Sequence, residues 1–82
     1  MDRRVRTVRR DRTGNIIALC NSEAAWSPRK KTDVIRDILG NRKSYYVQER
    51  EGRSYVRVVD GNNVRTTQDV ANPNSLEKLT EA

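Results

Sequence analysis

The side chains with the most chemistry to offer alternate over two neighbouring segments: Tyr46, Gln48 and Arg50, then Arg53, Tyr55 and Arg57. Tyrosine rings stack on bases or sugars while guanidinium groups track phosphates, the combination that single-strand and RNA-binding sheets use. The same residues have a plainer reading. Tyrosine suits strands for packing reasons, and an arginine across from it forms a cation-π pair with no ligand at all. A second basic group, Ser27, Arg29, Lys30 and Lys31, falls where a helix is expected to open. Cations at a helix start oppose its dipole, so their presence there suggests a site for phosphate or another anion. Their plainer reading is stems lying over apolar surface and heads in water.

The rest of the catalytic inventory is thin. The chain has no His, the commonest general base and metal ligand, so Cys20 lacks its usual activating partner. Set among Ile, Ala and Leu, Cys20 reads as a small buried hydrophobe. A single cysteine also excludes an internal disulfide and a cysteine-cluster metal site. Asp33 and Asp37 are spaced to share a helix face and so a cation, but they read more plainly as a solvated pair neutralised by Arg36 and Lys30. Glu49 and Glu51 flank a turn and suggest no chemistry. No glycine-rich phosphate loop is present. These observations predict a protein that is not an enzyme, with no catalytic residues, no metal and no cofactor.

The elements that must position these groups follow from periodicity. A helix is expected over 28–39, with Ser27 as N-cap and Pro28 at the first position, where no N–H is needed. Val34, Ile35, Ile38 and Leu39 form its apolar stripe, and Gly40 closes it with positive φ. Trp26, just before the cap, is placed to fold over the helix start or onto the sheet. Upstream, 3–11 is a weak strand because Val5 and Val8 fall on opposite parities, which a bulge or a start at Val5 would reconcile. Thr13, Gly14 and Asn15 supply a turn into the apolar run 16–20, giving a first hairpin.

Downstream, 44–49 and 54–59 read as strands joined across Glu51 and Gly52. That loop would set Gln48 opposite Tyr55, Tyr46 opposite Arg57 and Val47 opposite Val56. Tyr45, Val47, Val56 and Val58 would then face the core, and the tyrosine and arginine set would face water. A turn at 60–63 precedes a short strand at 64–67. Beyond Asp69 the composition shifts to Asn, Pro and Ser, with Leu76 and Leu79 suggesting one helical turn that docks or frays. The expected fold is therefore α+β: an antiparallel sheet of four to five strands, ββαββ with a short fifth strand, packed by one helix at about 28–39.

The totals fit a single small domain over 1–82, with the N-terminal residues and the tail from about residue 70 expected to fray. With 82 residues the chain has little room for an internal active-site cavity, so function is expected on the surface. Three Tyr, one Trp and no Phe leave the core to Val, Ile and Leu, with Trp26 as its largest member. The net charge of +6 is uneven, with six Arg against two Asp in residues 1–12. Such a balance favours an anionic partner, nucleic acid above all. No apolar run reaches the length of a signal peptide or a membrane span, which predicts a soluble, cytoplasmic protein with no membrane partner.

The early hairpin, the helix opened by Trp26, Ser27 and Pro28, the Tyr45, Tyr46, Val47 strand and a tail with Arg65, Thr66, Asp69 and 74–79 resemble the domain of unknown function 3892 family. The resemblance covers nearly the whole chain. It implies a compact single-domain bacterial protein and, since that family has no characterised function, carries over no site residues. Two functional classes follow from the residues. The first is a binding module for nucleic acid or another polyanion, using the basic helix start and the hairpin face. The second is a protein-interaction or accessory module, such as a homodimer formed through a strand edge, with no nucleic-acid role. Arg3, Arg4, Arg6, Arg9 and Arg10 would extend either surface or blunt an edge strand.

Overall fold

A computed structural model describes residues 2–67 and 74–82. It has one helix, α1 (Lys31–Leu39), and eight short strands. These are β1 (Asp2–Arg4), β2 (Thr7–Arg10), β3 (Ile16–Cys20), β4 (Arg29–Lys30), β5 (Ser44–Glu49), β6 (Gly52–Tyr55), β7 (Arg57–Val59) and β8 (Asn63–Arg65). The class is α+β, as expected, but the strands form three small sheets rather than one of four to five strands. Their orders are β1-β5-β6, β2-β3-β4 and β7-β8. All pairings between these strands are antiparallel except β1 with β5.

Two valines explain the division. Val5 and Val56 each interrupt a potentially continuous strand, and each donates its N–H to β5, Val5 to Tyr46 O and Val56 to Tyr45 O, both at 2.8 Å. Immediately after Val5, Arg6 N turns to Cys20 O on the second sheet at 2.9 Å. The break lets Val5 and Val8 both point inward despite their opposite parities, at 1% and 0% exposure. An uninterrupted strand would have put one of them in water. The register shift in this hairpin comes later, between Arg9 and Arg10.

The helix starts three residues later than its sequence signals suggest. The Ser27–Pro28 peptide is cis, Arg29 and Lys30 pair with Leu19 and Ala18 as β4, and Lys30 is the N-cap, without a side-chain capping bond. Ser27 Oγ instead accepts the Asn21 N–H at 2.8 Å, closing the loop that leads out of β3. At the other end Gly40 has φ −86°, and Asn41, at φ 54°, is the left-handed residue. Asparagine tolerates that region better than most side chains.

Helix α1 packs against strands of all three sheets. Val34 is fully buried and Ile35 and Ile38 are partly so, but Leu39 is 66% exposed. At about 100° per residue, Leu39 lies about 140° from Val34 around the helix, whereas Asp37 lies only about 60° away. Asp37 is accordingly the buried member, at 5% exposure. The core comprises Val5, Val8, Ile16, Leu19, Val34, Tyr45, Val47, Val56, Val64 and Leu76. Tyr45 is its largest fully buried side chain, and Trp26, expected to be the largest core member, is half-buried against it.

The tail after residue 74 is docked. Asn74 caps a single 3₁₀ turn, Ser75–Lys78, by accepting from Leu76 N. Asn74 Oδ1 also accepts from Thr66 N at 3.0 Å, and Ser75 Oγ donates to Glu49. Residues 80–82 then run beside β2, with Val8 N bonded to Thr80 O and Ala82 N to Val8 O. The composition shift at Asp69 lies outside the described residues.

Candidate functional site

The outer face of the β1-β5-β6 sheet holds Tyr46, Gln48, Arg53 and Tyr55 of the residues singled out in the sequence. The β5-β6 register pairs Tyr46 with Tyr55, Gln48 with Arg53 and Glu49 with Gly52, so the two loop residues are Arg50 and Glu51. This register differs from the expected one by two residues. A two-residue slip preserves side-chain parity, so the division into faces survives. Tyr45, Val47 and Val56 are buried and Val58 half-buried, while Gln48, Arg53 and Tyr55 are exposed. Arg50 sits in the turn, and Arg57 lies on β7 beside Arg65, in another sheet.

A third strand completes the face. Parallel pairing with β5 sets Arg4 beside Tyr46 and Asp2 beside Ser44. Arg4, Tyr46 and Tyr55 therefore form one row across three adjacent strands. The Tyr46 and Tyr55 rings are 5.9 Å apart and tilted by 51°. The Arg53 guanidinium lies over the Tyr46 ring, 4.1 Å from its centroid, in cation-π geometry. Asp2 gathers the polar ends: it accepts from Arg53 Nη1 at 2.9 Å, from Tyr55 OH at 2.7 Å and from Ser44 Oγ. The hydrogen bonds from Ser44 and Tyr55, helped by the Arg53 charge, hold the Asp2 carboxyl below its ordinary range. Sequence reasoning missed Asp2 and Ser44, and placed Arg4 only among the arginines that would extend either surface, because nothing local marks 2–4 as a parallel partner of 44–46.

The inner face of the same sheet carries a second polar cluster. Asp37 receives two hydrogen bonds from Arg29, Nε at 3.1 Å and Nη2 at 3.0 Å, in the fork geometry typical of guanidinium and carboxylate. Tyr45 OH donates to Asp37 at 2.5 Å and itself accepts from Arg3 Nη1 at 2.9 Å. Arg3 lies 5.6 Å from the ring centroids of both Trp26 and Tyr45, and those two rings meet edge to face. Burial pushes the Asp37 carboxyl up, but the Arg29 and Tyr45 hydrogen bonds and the neighbouring cations outweigh it, leaving it below the ordinary carboxylate value. Burial and the bond to Asp37 raise the Tyr45 phenol. The solvated aspartate pair expected at 33 and 37 is thus corrected. Asp33 makes a surface pair with Arg36 at 3.6 Å, while Asp37 anchors α1 to β1, β4 and β5.

Of the second group of expected anion ligands, Lys30 and Lys31 sit at the helix start as N-cap and first residue, whereas Ser27 and Arg29 lie before it. Ser27 and Arg29 are engaged by Asn21 and Asp37, respectively. Lys30 and Lys31 flank a shallow apolar groove of about 310 Å³ with Ile17 and Thr32, and Lys31 Nζ reaches Asn63 at 3.4 Å. Cys20 is buried on β3. Among the described residues no group of His, Cys, Asp and Glu is arranged to hold a metal ion, and no helix is long and apolar enough to cross a membrane. No family model matches the chain, and neither a curated protein nor a solved structure matches it.

Proposed function

We propose that this protein is a small binding module for single-stranded nucleic acid, using the outer face of the β1-β5-β6 sheet. The observation that carries the reading is the row Arg4, Tyr46 and Tyr55 across three strands, with Arg53 stacked on Tyr46. An open sheet face with aromatic platforms and interleaved cations gives bases a stacking surface and phosphates a counter-charge without demanding a sequence. Tyr55, 41% exposed, is the open ring. Tyr46 has one ring face covered by Arg53, so it contributes by holding that guanidinium in place. The net charge of +6 supplies long-range attraction. The resemblance to the domain of unknown function 3892 family is compatible with such a module and adds no ligand.

The test is fluorescence anisotropy with a labelled single strand and its duplex over a range of salt. Affinity for the single strand should fall log-linearly with salt. Tyr55→Ala should lower it by about ten-fold, the size of a lost base stack, while changing duplex affinity much less. Equal losses on both forms would refute stacking on this face.

A further inference from the structure

We propose that Ser44, Arg53 and Tyr55 form a phosphate subsite, which the Asp2 carboxylate fills in the free protein and yields to a backbone phosphate of a bound strand. The inference rests on the reading of the outer face as a nucleic-acid surface. Two hydroxyls and one guanidinium, from β5 and β6, converge on a single carboxylate. A cation with neutral donors around it is a set that a phosphate oxygen satisfies at least as well as a carboxylate. The arrangement contributes little to the fold. Asp2, Arg53 and Tyr55 are all exposed, outside the core cluster, and an ion pair in that setting is worth little to stability. Low intrinsic worth is what an exchangeable contact requires. Tyr55 carries both the open ring and one of the three donors, so a nucleotide stacked on that ring has its phosphate within reach of the Asp2 position.

Asp2 is then an internal competitor, and removing its charge should strengthen binding. Asp2→Asn should raise affinity for a short fluorescein-labelled oligothymidylate about three-fold, the scale of one exposed ion pair. It should also steepen the salt dependence by about 0.7 in slope, as Arg53 becomes one more cation free to meet phosphate. Asp60→Asn, the same charge change in the turn between β7 and β8, provides the baseline for added positive charge. Arg53→Gln combined with Asp2→Asn should erase the gain. A gain no larger than that of Asp60→Asn, or one that persists without Arg53, overturns the subsite while leaving stacking on Tyr55 intact. Binding by Asp2→Asn but not by the unaltered protein supports the subsite and makes the free protein self-occluded. Binding by neither overturns both the subsite and the nucleic-acid reading.

Discussion

Replacing Asp37 by Ala should destabilise this protein more than removing any other carboxylate. Asp37 is 5% exposed and accepts three hydrogen bonds, two from Arg29 and one from Tyr45. Breaking a buried ion pair from one side typically costs 3–5 kcal/mol, because the surviving charge stays uncompensated. Here the two cations respond differently. The Arg29 side chain is 35% exposed and can rehydrate, whereas Arg3 is only 16% exposed and its Nε already has no partner among the described residues. Tyr45 OH, fully buried, would lose its acceptor as well. The expected loss is about 3 kcal/mol, at the lower end of that range because Arg29 recovers part of its hydration. A domain of this size has roughly 4–12 kcal/mol in all, so the unfolding midpoint in urea should fall visibly.

Asp37→Asn keeps the size and one acceptor for Tyr45, and should cost about half as much. Urea titrations followed by circular dichroism and by Trp26 fluorescence, which reports on the adjoining Tyr45 ring, measure both variants. A loss under about 1 kcal/mol for Asp37→Ala would place the pair in the surface class and refute the reasoning. The acid limb gives a second reading of the same group. Its folded value lies below the ordinary 3.8, so the unfolded chain takes up the proton first as pH falls. The stabilisation is complete above about pH 4 and disappears as pH drops through the folded value. Asp37→Asn should therefore flatten stability against pH below 4. Asp2, Asp11 and Glu49, also held low, should keep the slope from vanishing.

Val34→Ala, at a fully buried site, should cost about 2 kcal/mol in urea titrations, while Leu39→Ala, mostly in water, should stay within about 0.5 kcal/mol. Equal costs would mean the helix presents its apolar stripe as the sequence alone suggests. Leu76→Ala should cost about 3 kcal/mol and speed hydrogen exchange at Val8 and Ala82, whose amides lie in the bridge between tail and β2. Unchanged exchange at both would show that the tail docks without Leu76.

The parts of the fold legible in the sequence are those set by local chemistry. Gly14 and Gly61 both have positive φ, and the turns expected around them are present. The faces of the β5-β6 hairpin were readable because alternation survives a slip of two residues. Elsewhere tertiary contacts outweighed local signals. Ser27 and Pro28 carry the chemistry of a helix start, yet Ser27 is used to close the loop from Asn21, and Arg29 is drawn away by Asp37, eight residues on. The Asp37 charge suggests water, although the residue lies only about 60° from Val34 around the helix. Only a partner such as Arg29, whose distance in space the sequence does not state, makes that burial tolerable. The parallel pairing of β1 with β5 joins segments some forty residues apart with no turn between them to announce it.

That pairing has a consequence for the candidate interface. On β1 the side chains alternate: Arg3 enters the Asp37, Tyr45 and Trp26 cluster, while Asp2 and Arg4 lie on the outer face beside Ser44 and Tyr46. Three residues thus connect the buried charge cluster to the exposed tyrosine row, and β5 repeats the alternation with Tyr45 inside and Tyr46 outside. Loosening Arg3 would free the strand that carries both the proposed competitor Asp2 and the proposed phosphate contact Arg4. The two effects have opposite signs for binding, since one removes an internal anion and the other removes a cation. Arg3→Ala should accordingly lower stability far more than it changes single-strand affinity, whereas Asp2→Asn should do the reverse. Both variants alter the same three-residue strand, so that contrast would separate what β1 does for the fold from what it does for the face.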